Sequence, residues 1–321
     1  MTKKILYFEA PDGISGDMTL GALIDLGADV EQIRAELDKF VPEPYALVPQ
    51  VFERNGIHGI NLDVIVRGEG GSISGLSETH EHEQWHEHGH GHGHSHGHGT
   101  SHRDGSGGSV DNNSARYMMK PPEPSPWLGG PAEPSPWHAH DHRHYSDIVR
   151  MIGESGLTAR AKKYAVDIFS AIADGEAAVH QVEKADVAFH EVGAMDSIID
   201  IVGTAVAVDL LGAEAFYCGA LHDGAGTILC RHGLIPVPVP AVMEMALGGE
   251  VPIVIESDVA TEMITPTGFG IIKGLGAIFE PRLGIVPEKT GYGFGKRDTG
   301  RLGAVRVTLG TLYREEPDEE K

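Results

Sequence analysis

The stretch Lys4-Ile5-Leu6-Tyr7-Phe8-Glu9-Ala10, followed by Pro11-Asp12-Gly13-Ile14-Ser15-Gly16 and then by Leu20, Leu23, Ile24 and Leu26, decides the fold class. It reads as a strand that turns through a glycine-rich loop into a helix, because the apolar positions change from a nearly continuous run to helical spacing. Gly27 ends that helix. Asp29 and Gln32 then have the N-cap and third-position spacing of a capping box, opening a second helix through Ile33 and Leu37. Tyr45 to Arg54 and His58 to Arg67 read as strands joined across Asn55-Gly56, a dipeptide favoured in tight hairpin turns. Residues 1–67 are therefore expected to form a β-α-α-β-β unit.

Residues 68–141 break the pattern. Gly, Ser, Pro and His dominate, ten histidines fall between His80 and His102, and Pro121-Pro122-Glu123-Pro124-Ser125-Pro126-Trp127 returns as Pro131-Ala132-Glu133-Pro134-Ser135-Pro136-Trp137. Such composition cannot build a core, so a long disordered His/Gly/Pro-rich insertion is expected, its proline segments in extended polyproline geometry. Order resumes near Tyr145. Thr158 is placed to cap a long helix carrying Tyr164, Ile168, Ile172 and Val179 on one stripe, and Asp186 to His190 reads as a strand. Gly203 to Val208 continues a helix of small apolar residues. Strands follow at Ala215 to Leu221, Gly226 to Cys230 and Val251 to Glu256, with a short helix from Ala241 to Leu247. Thr265 and Pro266 open another helix, and Arg301 to Leu309 reads as a last strand. The expectation is an α/β fold, a mixed sheet flanked by helices, in which residues 142–312 pack with 1–67 and 313–321 form an acidic tail.

Composition narrows the function. The net charge of -22, from 47 acidic against 25 basic residues, argues against a nucleic-acid partner and makes divalent cations the more natural ones. Two cysteines, Cys218 and Cys230, fit a reducing cytoplasm rather than a disulfide framework. The apolar run Ile5 to Phe8 is too short for a signal peptide, and Ile198 to Ala213 is interrupted by Asp200 and Asp209, so no membrane span is expected.

Chemistry concentrates in Phe189-His190-Glu191-Val192-Gly193-Ala194-Met195-Asp196-Ser197-Ile198-Ile199-Asp200. Asp196 and Asp200 are four apart and share a face of any helix starting near Gly193, with His190 and Glu191 just before its positive end. Ordinary solvated carboxylates are the plain alternative, but so apolar a helix makes full exposure hard to arrange. Metal or catalytic duty is the preferred reading, and imidazole with carboxylate suits nickel, zinc, cobalt or manganese better than calcium. The alternating His86, His88, His90, His92, His94, His96 and His98 suit multivalent metal capture, although no scaffold fixes them for catalysis. His142 and His144 lie where order returns and are better placed to reach a folded site.

Two turns suit anions. Gly13, Ser15, Gly16 and Asp17 sit between a strand and a helix, where backbone N–H groups can cradle a phosphate or Asp17 can hold a metal; a plain structural turn fits equally well. Thr265, Thr267 and Gly268 carry the same ambiguity.

Taken together, Gly13-Ile14-Ser15-Gly16-Asp17-Met18, the block from Phe189 to Asp200, His232-Gly233-Leu234-Ile235-Pro236-Val237-Pro238, Thr265-Pro266-Thr267-Gly268 and Gly291-Tyr292-Gly293-Phe294-Gly295 closely resemble the LarC family of nickel-insertion proteins. The resemblance covers residues 4–67 and 142–310. It implies insertion of Ni(II) into pyridinium-3,5-bisthiocarboxylic acid mononucleotide, forming nickel–carbon and nickel–sulfur bonds while CTP is consumed to CMP and pyrophosphate. The product is the nickel-pincer nucleotide cofactor of lactate racemase-type enzymes, whose apo form is then the recipient. On this reading His190, Glu191, Asp196 and Asp200 bind or present nickel, with His142 and His144 as secondary ligands, and Glu191 accepts the pyridinium C–H proton. Longer members continue into a C-terminal domain associated with the nucleotide, whereas this chain runs into Glu315-Glu316-Pro317-Asp318-Glu319-Glu320-Lys321. CTP, with Mn or Mg, is accordingly expected to act through that C-terminal domain, so that either a separate polypeptide supplies it or this chain is one functional half, and a homo-oligomer is a further partner state to consider. The rivals are a nickel storage or delivery protein working through its histidine tract and a metal-dependent phosphate-ester hydrolase.

Overall fold

The computed structural model describes residues 3–67, 73–74, 143–189, 192–249 and 251–313. The chain opens with β1 (Lys4–Ala10), α1 (Gly16–Leu26) and α2 (Val30–Leu37), followed by the hairpin β2 (Tyr45–Arg54) and β3 (Ile57–Arg67). Asn55 at φ 54 and Gly56 at φ 76 make the two-residue turn, and the register Arg54↔Ile57 leaves no room for a longer loop. Gly27 closes α1 at φ 119, its N–H donating to carbonyls of the last turn. Asp29 caps α2 by accepting from the N–H groups of Glu31 and Gln32, while the Gln32 side chain donates to the Asp29 carboxylate rather than to its backbone. A short β4 (Ile73–Ser74) pairs back onto the end of β3, inside the stretch expected to be an insertion.

The chain resumes with β5 (Arg143–His144), α3 (Tyr145–Glu154) and α4 (Ala159–His180). Thr158 Oγ1 accepts from the Ala161 N–H, as its capping role requires. The strand expected from Asp186 to His190 is shorter: Lys184–Asp186 form a single 3₁₀ turn and only β6 (Ala188–Phe189) pairs, antiparallel to β5. Then come α5 (Met195–Leu211), β7 (Ala215–Asp223), the small hairpin β8 (Thr227–Cys230) and β9 (Gly233–Pro236), α6 (Pro240–Ala246), β10 (Ile253–Ile255), α7 (Pro266–Gly274), β11 (Ile278–Phe279), β12 (Ile285–Phe294) and β13 (Ala304–Leu312).

One mixed sheet runs in the order β10-β7-β1-β13-β12-β3-β2, so the first seventy residues supply both its centre and one end. β1, β7 and β10 are mutually parallel; β13 inserts antiparallel between β1 and β12. Ile5, Leu6 and Phe8 of β1 and Ile198, Ile199, Ile201, Val202, Ala205 and Val206 of α5 are fully buried, and each Å² of apolar surface so removed from water contributes about 25 cal/mol.

The glycines of Gly291-Tyr292-Gly293-Phe294-Gly295 explain how α1 lies so close on β12. A Cβ at Gly291 would collide with the backbone of Ala22 and Leu26, and one at Gly293 with the backbone of Met18 and Ala22. Likewise a Cβ at Gly203 of α5 would lie 2.8 Å from Leu20 Cδ2 of α1, so these two helices also meet through a missing side chain.

Candidate functional site

Because β1, β7 and β10 run parallel and β13 runs against β1, four connections converge on one edge of the sheet. They are Pro11 to Ser15 after β1, the residues after Asp223, Glu256 to Thr265 after β10, and Gly295 to Gly303 between β12 and β13. The carboxyl edge of parallel strands is where open α/β sheets place their ligands. A pocket of about 240 Å³ opens here, lined among others by Asp12, Asp17, Glu262, Thr265, Lys296 and Arg297.

The loops are stitched together by backbone. Ile14 N–H donates to Met263 O at 2.9 Å and Thr265 N–H to Ile14 O at 3.0 Å, so Ile14 and Ile264 form a parallel bridge between the two turns read as anion sites. A Cβ at Gly268 would collide with the Ile14 carbonyl, and Gly13, at φ 92, packs just as tightly on Met263. Much of the hydrogen-bonding capacity of both turns is thereby spent on each other. Thr265 Oγ1 accepts from Gly268 N–H at 3.1 Å as the cap of α7 and lies 2.7 Å from Thr267 Oγ1. Ser15 Oγ donates to the Asp17 carboxylate at the start of α1.

Asp200 projects from α5 against Gly16: a Cβ on that glycine would lie 2.8 Å from Asp200 Cβ and 3.0 Å from its Oδ2. Glycine is required there because α1 begins on the carboxylate. Asp200 Oδ1 is out of solvent and has no hydrogen-bond partner among the described residues. Burial, then the negative charges of Asp17 and Asp196, push its carboxyl well above the usual range, and Lys296 opposes them. The Lys296 ammonium lies 3.0 Å from Asp63 Oδ1 and 3.6 Å from Asp17 Oδ2. Burial acts to lower it, but Asp17, Asp63 and Asp200 together outweigh burial and hold it above its ordinary value.

Arginines pin the loop that carries Lys296. Arg301 Nη2 reaches Glu256 at 2.8 Å and Asp258 at 2.9 Å, Glu256 in turn meets His222 Nδ1 at 2.6 Å, and Arg297 Nη1 donates to Glu262 O at 2.9 Å. On the far side, Arg143 Nη1 donates to Gly193 O at 2.8 Å and its Nη2 faces Glu43 at 3.4 Å, fixing the approach to α5. Asp196, half-buried in the first turn of α5, accepts from Ser197 N–H at 2.8 Å, where the helix dipole favours a negative charge.

Of the residues singled out in the sequence, Asp17, Asp196 and Asp200 therefore come into one electrostatic cluster, and Ser15 and Thr265 line the adjoining pocket. His144 is exposed at the N-cap of α3, with no side-chain capping bond. His190, Glu191, His142 and the histidines from His86 to His98 lie outside the described residues. Among the described residues no group of three or more His, Cys, Asp or Glu is placed to hold a metal ion. The sequence reading missed Asp63, Glu262, Lys296 and Arg297. The available signal for the last two was their position directly after Gly291-Tyr292-Gly293-Phe294-Gly295.

The geometry defines a mixed α/β protein with an acidic, lysine-bridged site at the carboxyl edge of its parallel strands. A family profile described as nickel insertion protein matches residues 6–321, and the chain belongs to that family. It is 38% identical over 313 residues to the pyridinium-3,5-bisthiocarboxylic acid mononucleotide nickel insertion protein of Acetivibrio thermocellus, covering 98% of this chain and 62% of that protein. It is 41% identical over 305 residues to the protein of the same name from Lactiplantibacillus plantarum, covering 95% and 61%, and 32% identical over 304 residues to that of Staphylococcus epidermidis, covering 95% and 58%. The chain thus spans about three fifths of the length of the curated relatives it matches. No solved structure shows a significant match. No helix among the described residues is long and apolar enough to cross a membrane.

Proposed function

We propose that this chain carries the nickel-handling site of a cyclometallase that inserts Ni(II) into pyridinium-3,5-bisthiocarboxylic acid mononucleotide. The observation that carries the reading is Asp200, a carboxylate packed against Gly16 with an unpartnered, solvent-shielded oxygen, whose carboxyl is raised by burial and by the charges of Asp17 and Asp196. Family membership and the names of the relatives support the substrate.

Asp196 and Asp200 present nickel together with His190 and Glu191, which precede α5 in the chain, and His142 and His144 serve as secondary ligands. Glu191 takes the proton released when the pyridinium C–H gives way to the nickel–carbon bond. Gly13, Ser15, Gly16 and Asp17 with Thr265, Thr267 and Gly268 form the floor against which the substrate's phosphate end lies. Oxygen and imidazole ligands suit a cargo that must be surrendered better than a thiolate cage does. The histidines from His86 to His98 collect nickel. CTP with Mn or Mg acts through a C-terminal domain, and the product passes to an apo lactate racemase-type enzyme in the cytoplasm.

The test incubates the chain with nickel, CTP, Mn or Mg and the thiolated pyridinium nucleotide, with and without a separately supplied C-terminal domain. Nickelated nucleotide is read by its absorption and mass. Its appearance with the added domain supports the reading; its absence from both reactions sinks it. Removing residues 78–133 decides against storage as the main role if product formation persists at saturating nickel.

A further inference from the structure

We propose that Arg297 and Thr299, on the loop between β12 and β13, grip the phosphate of the substrate, so that this loop makes the site selective for a pyridinium mononucleotide over its nucleoside. The proposal rests on the nickel-insertion reading above and supplies the donors that the substrate's phosphate end still lacks.

The two turns that floor the pocket have little left to give. The N–H groups of Ile14 and Thr265 are bonded across the turns, that of Gly268 is taken by Thr265 Oγ1, and that of Met18 by the Asp17 carboxylate at 2.9 Å. A phosphate accepts several hydrogen bonds at once and needs donors that are not already committed. Arg297 and Thr299 both line the pocket, and both have them. Arg297 spends only Nη1, on the Glu262 carbonyl at 2.9 Å and the Glu262 carboxylate at 3.5 Å, while its Nε and Nη2 make no hydrogen bond among the described residues. Glu262 thus holds the guanidinium in place and leaves uncommitted the Nε–Nη2 edge, one of those that bind oxygens in pairs. Thr299 Oγ1 is shielded from solvent and has no partner among the described residues, a costly state for a hydroxyl that no ligand meets.

The acidic residues of the same pocket do not bar an anion from this wall, because each already has a partner. Asp12 lies 3.9 Å from Arg301 and accepts from Gly303 N–H at 3.2 Å, Asp17 accepts from Ser15 Oγ and lies 3.6 Å from Lys296, and Glu262 faces Arg297 itself. What Arg297 and Thr299 leave open is donor capacity, a forked cation beside a hydroxyl, and that is the complement of a phosphate monoester. At about 240 Å³ the pocket is smaller than the roughly 300–1,000 Å³ that encloses a whole small ligand, so it takes the sugar-phosphate end and leaves the pyridinium ring outside.

The test titrates the full chain, by calorimetry, with nicotinamide mononucleotide and with the nucleoside left when its phosphate is removed. The wild type is expected to prefer the mononucleotide by about tenfold or more, with inorganic phosphate competing against the mononucleotide alone. Arg297→Met should bring that ratio close to one without changing nucleoside binding or the melting temperature, since the side chain is 59% exposed. Arg297→Lys, which keeps the charge and loses the fork, should fall between. Mere structural damage would weaken both ligands together and leave the ratio as it was. Thr299→Val removes the second donor and should lower the preference severalfold; it also decides the matter if Arg297→Met does not fold. A wild type that binds the two ligands alike, or binds neither, overturns the proposal, as does full preference retained in Arg297→Met or, where that protein does not fold, in Thr299→Val. CTP binding more tightly than the mononucleotide, and weakened by Arg297→Met, would also overturn it, by giving the pocket to a nucleoside triphosphate. A wild-type chain that shows the preference but makes no nickelated product would sink the functional reading alone, because the binding ratio judges Arg297 and Thr299 separately.

Discussion

Two aspartates near the same edge of the sheet each have one buried carboxylate oxygen with no hydrogen-bond partner among the described residues, yet their charges are compensated differently. Asp223, at the end of β7, is fully buried, and its Oδ1 accepts three backbone N–H bonds, from Gly224 at 2.8 Å, Met263 at 2.7 Å and Ile264 at 3.1 Å. Burial still raises its carboxyl, but those donors pull it back. Asp200 is pushed further, because it faces Asp17 and Asp196 and is opposed only by the Lys296 ammonium. A carboxylate fed by backbone donors is a rivet, here fastening the loop before α7 to the end of β7. One that faces like charges, with a lysine from another part of the chain to oppose them, is left less compensated. Burial raises both carboxyls, and the source of the compensating charge sets them apart.

The contrast breaks most sharply at Asp200. Asp200→Asn removes a carboxyl whose ionisation burial and two like charges oppose, so at neutral pH the apo protein should become more stable by about 1–2 kcal/mol, a rise of about 2–6 °C in melting temperature. The same change should cut nickelated-nucleotide formation by about 100-fold, since a metal-presenting carboxylate is lost. Calorimetry and the product assay on one preparation check both. A fall in both stability and activity would place Asp200 with Asp223 as a structural residue.

Asp223→Ala should do the reverse. Three buried N–H groups lose their acceptor, costing about 2–4 kcal/mol, while nickelated-nucleotide formation per folded molecule stays within a few-fold of wild type. Chemical denaturation and the product assay measure the two effects. A destabilisation below about 1 kcal/mol would mean that water replaces the carboxylate and that the rivet is dispensable.

The same logic explains what could be read from the sequence. β1, the glycine turn, α1, the Asn55-Gly56 hairpin and the caps at Asp29, Thr158 and Thr265 announce themselves because their signals are local: an apolar run, a positive φ, an oxygen one turn from an N–H. β12 does not. Pro287, Gly291 and Gly293 weaken a strand signal, yet the glycines are there so that α1 can lie on the strand, a requirement that only the packed structure reveals. Asp196 and Asp200 stood out by their spacing, and Asp17 by its turn. Asp63 and Lys296 did not, because 233 residues separate them and only the parallel pairing of β3 with β12 brings them within 3.0 Å. Charges that meet through sheet topology leave no local trace.

Asp25 gives the gentlest test of the comparison, since it stands between the two cases. It lies in α1, its Oδ2 accepts one backbone N–H, from Tyr292 at 2.8 Å, and burial outweighs that bond so that its carboxyl is raised. A carboxyl raised in the folded state binds its proton more firmly there than in the unfolded chain. The resulting stabilisation is complete below the ordinary carboxylate range and is lost as pH rises through the raised folded value. Asp25→Asn cannot ionise and keeps an oxygen to accept from Tyr292. It should therefore match wild type in acid and exceed it at neutral pH, by about 0.5 kcal/mol once the solvent reaching a half-buried group is allowed for, or about 1–2 °C. Melting curves of the two proteins across pH 4 to 8 should diverge as pH rises; curves that run parallel would show that one backbone donor already compensates burial, and would move Asp25 to the side of Asp223.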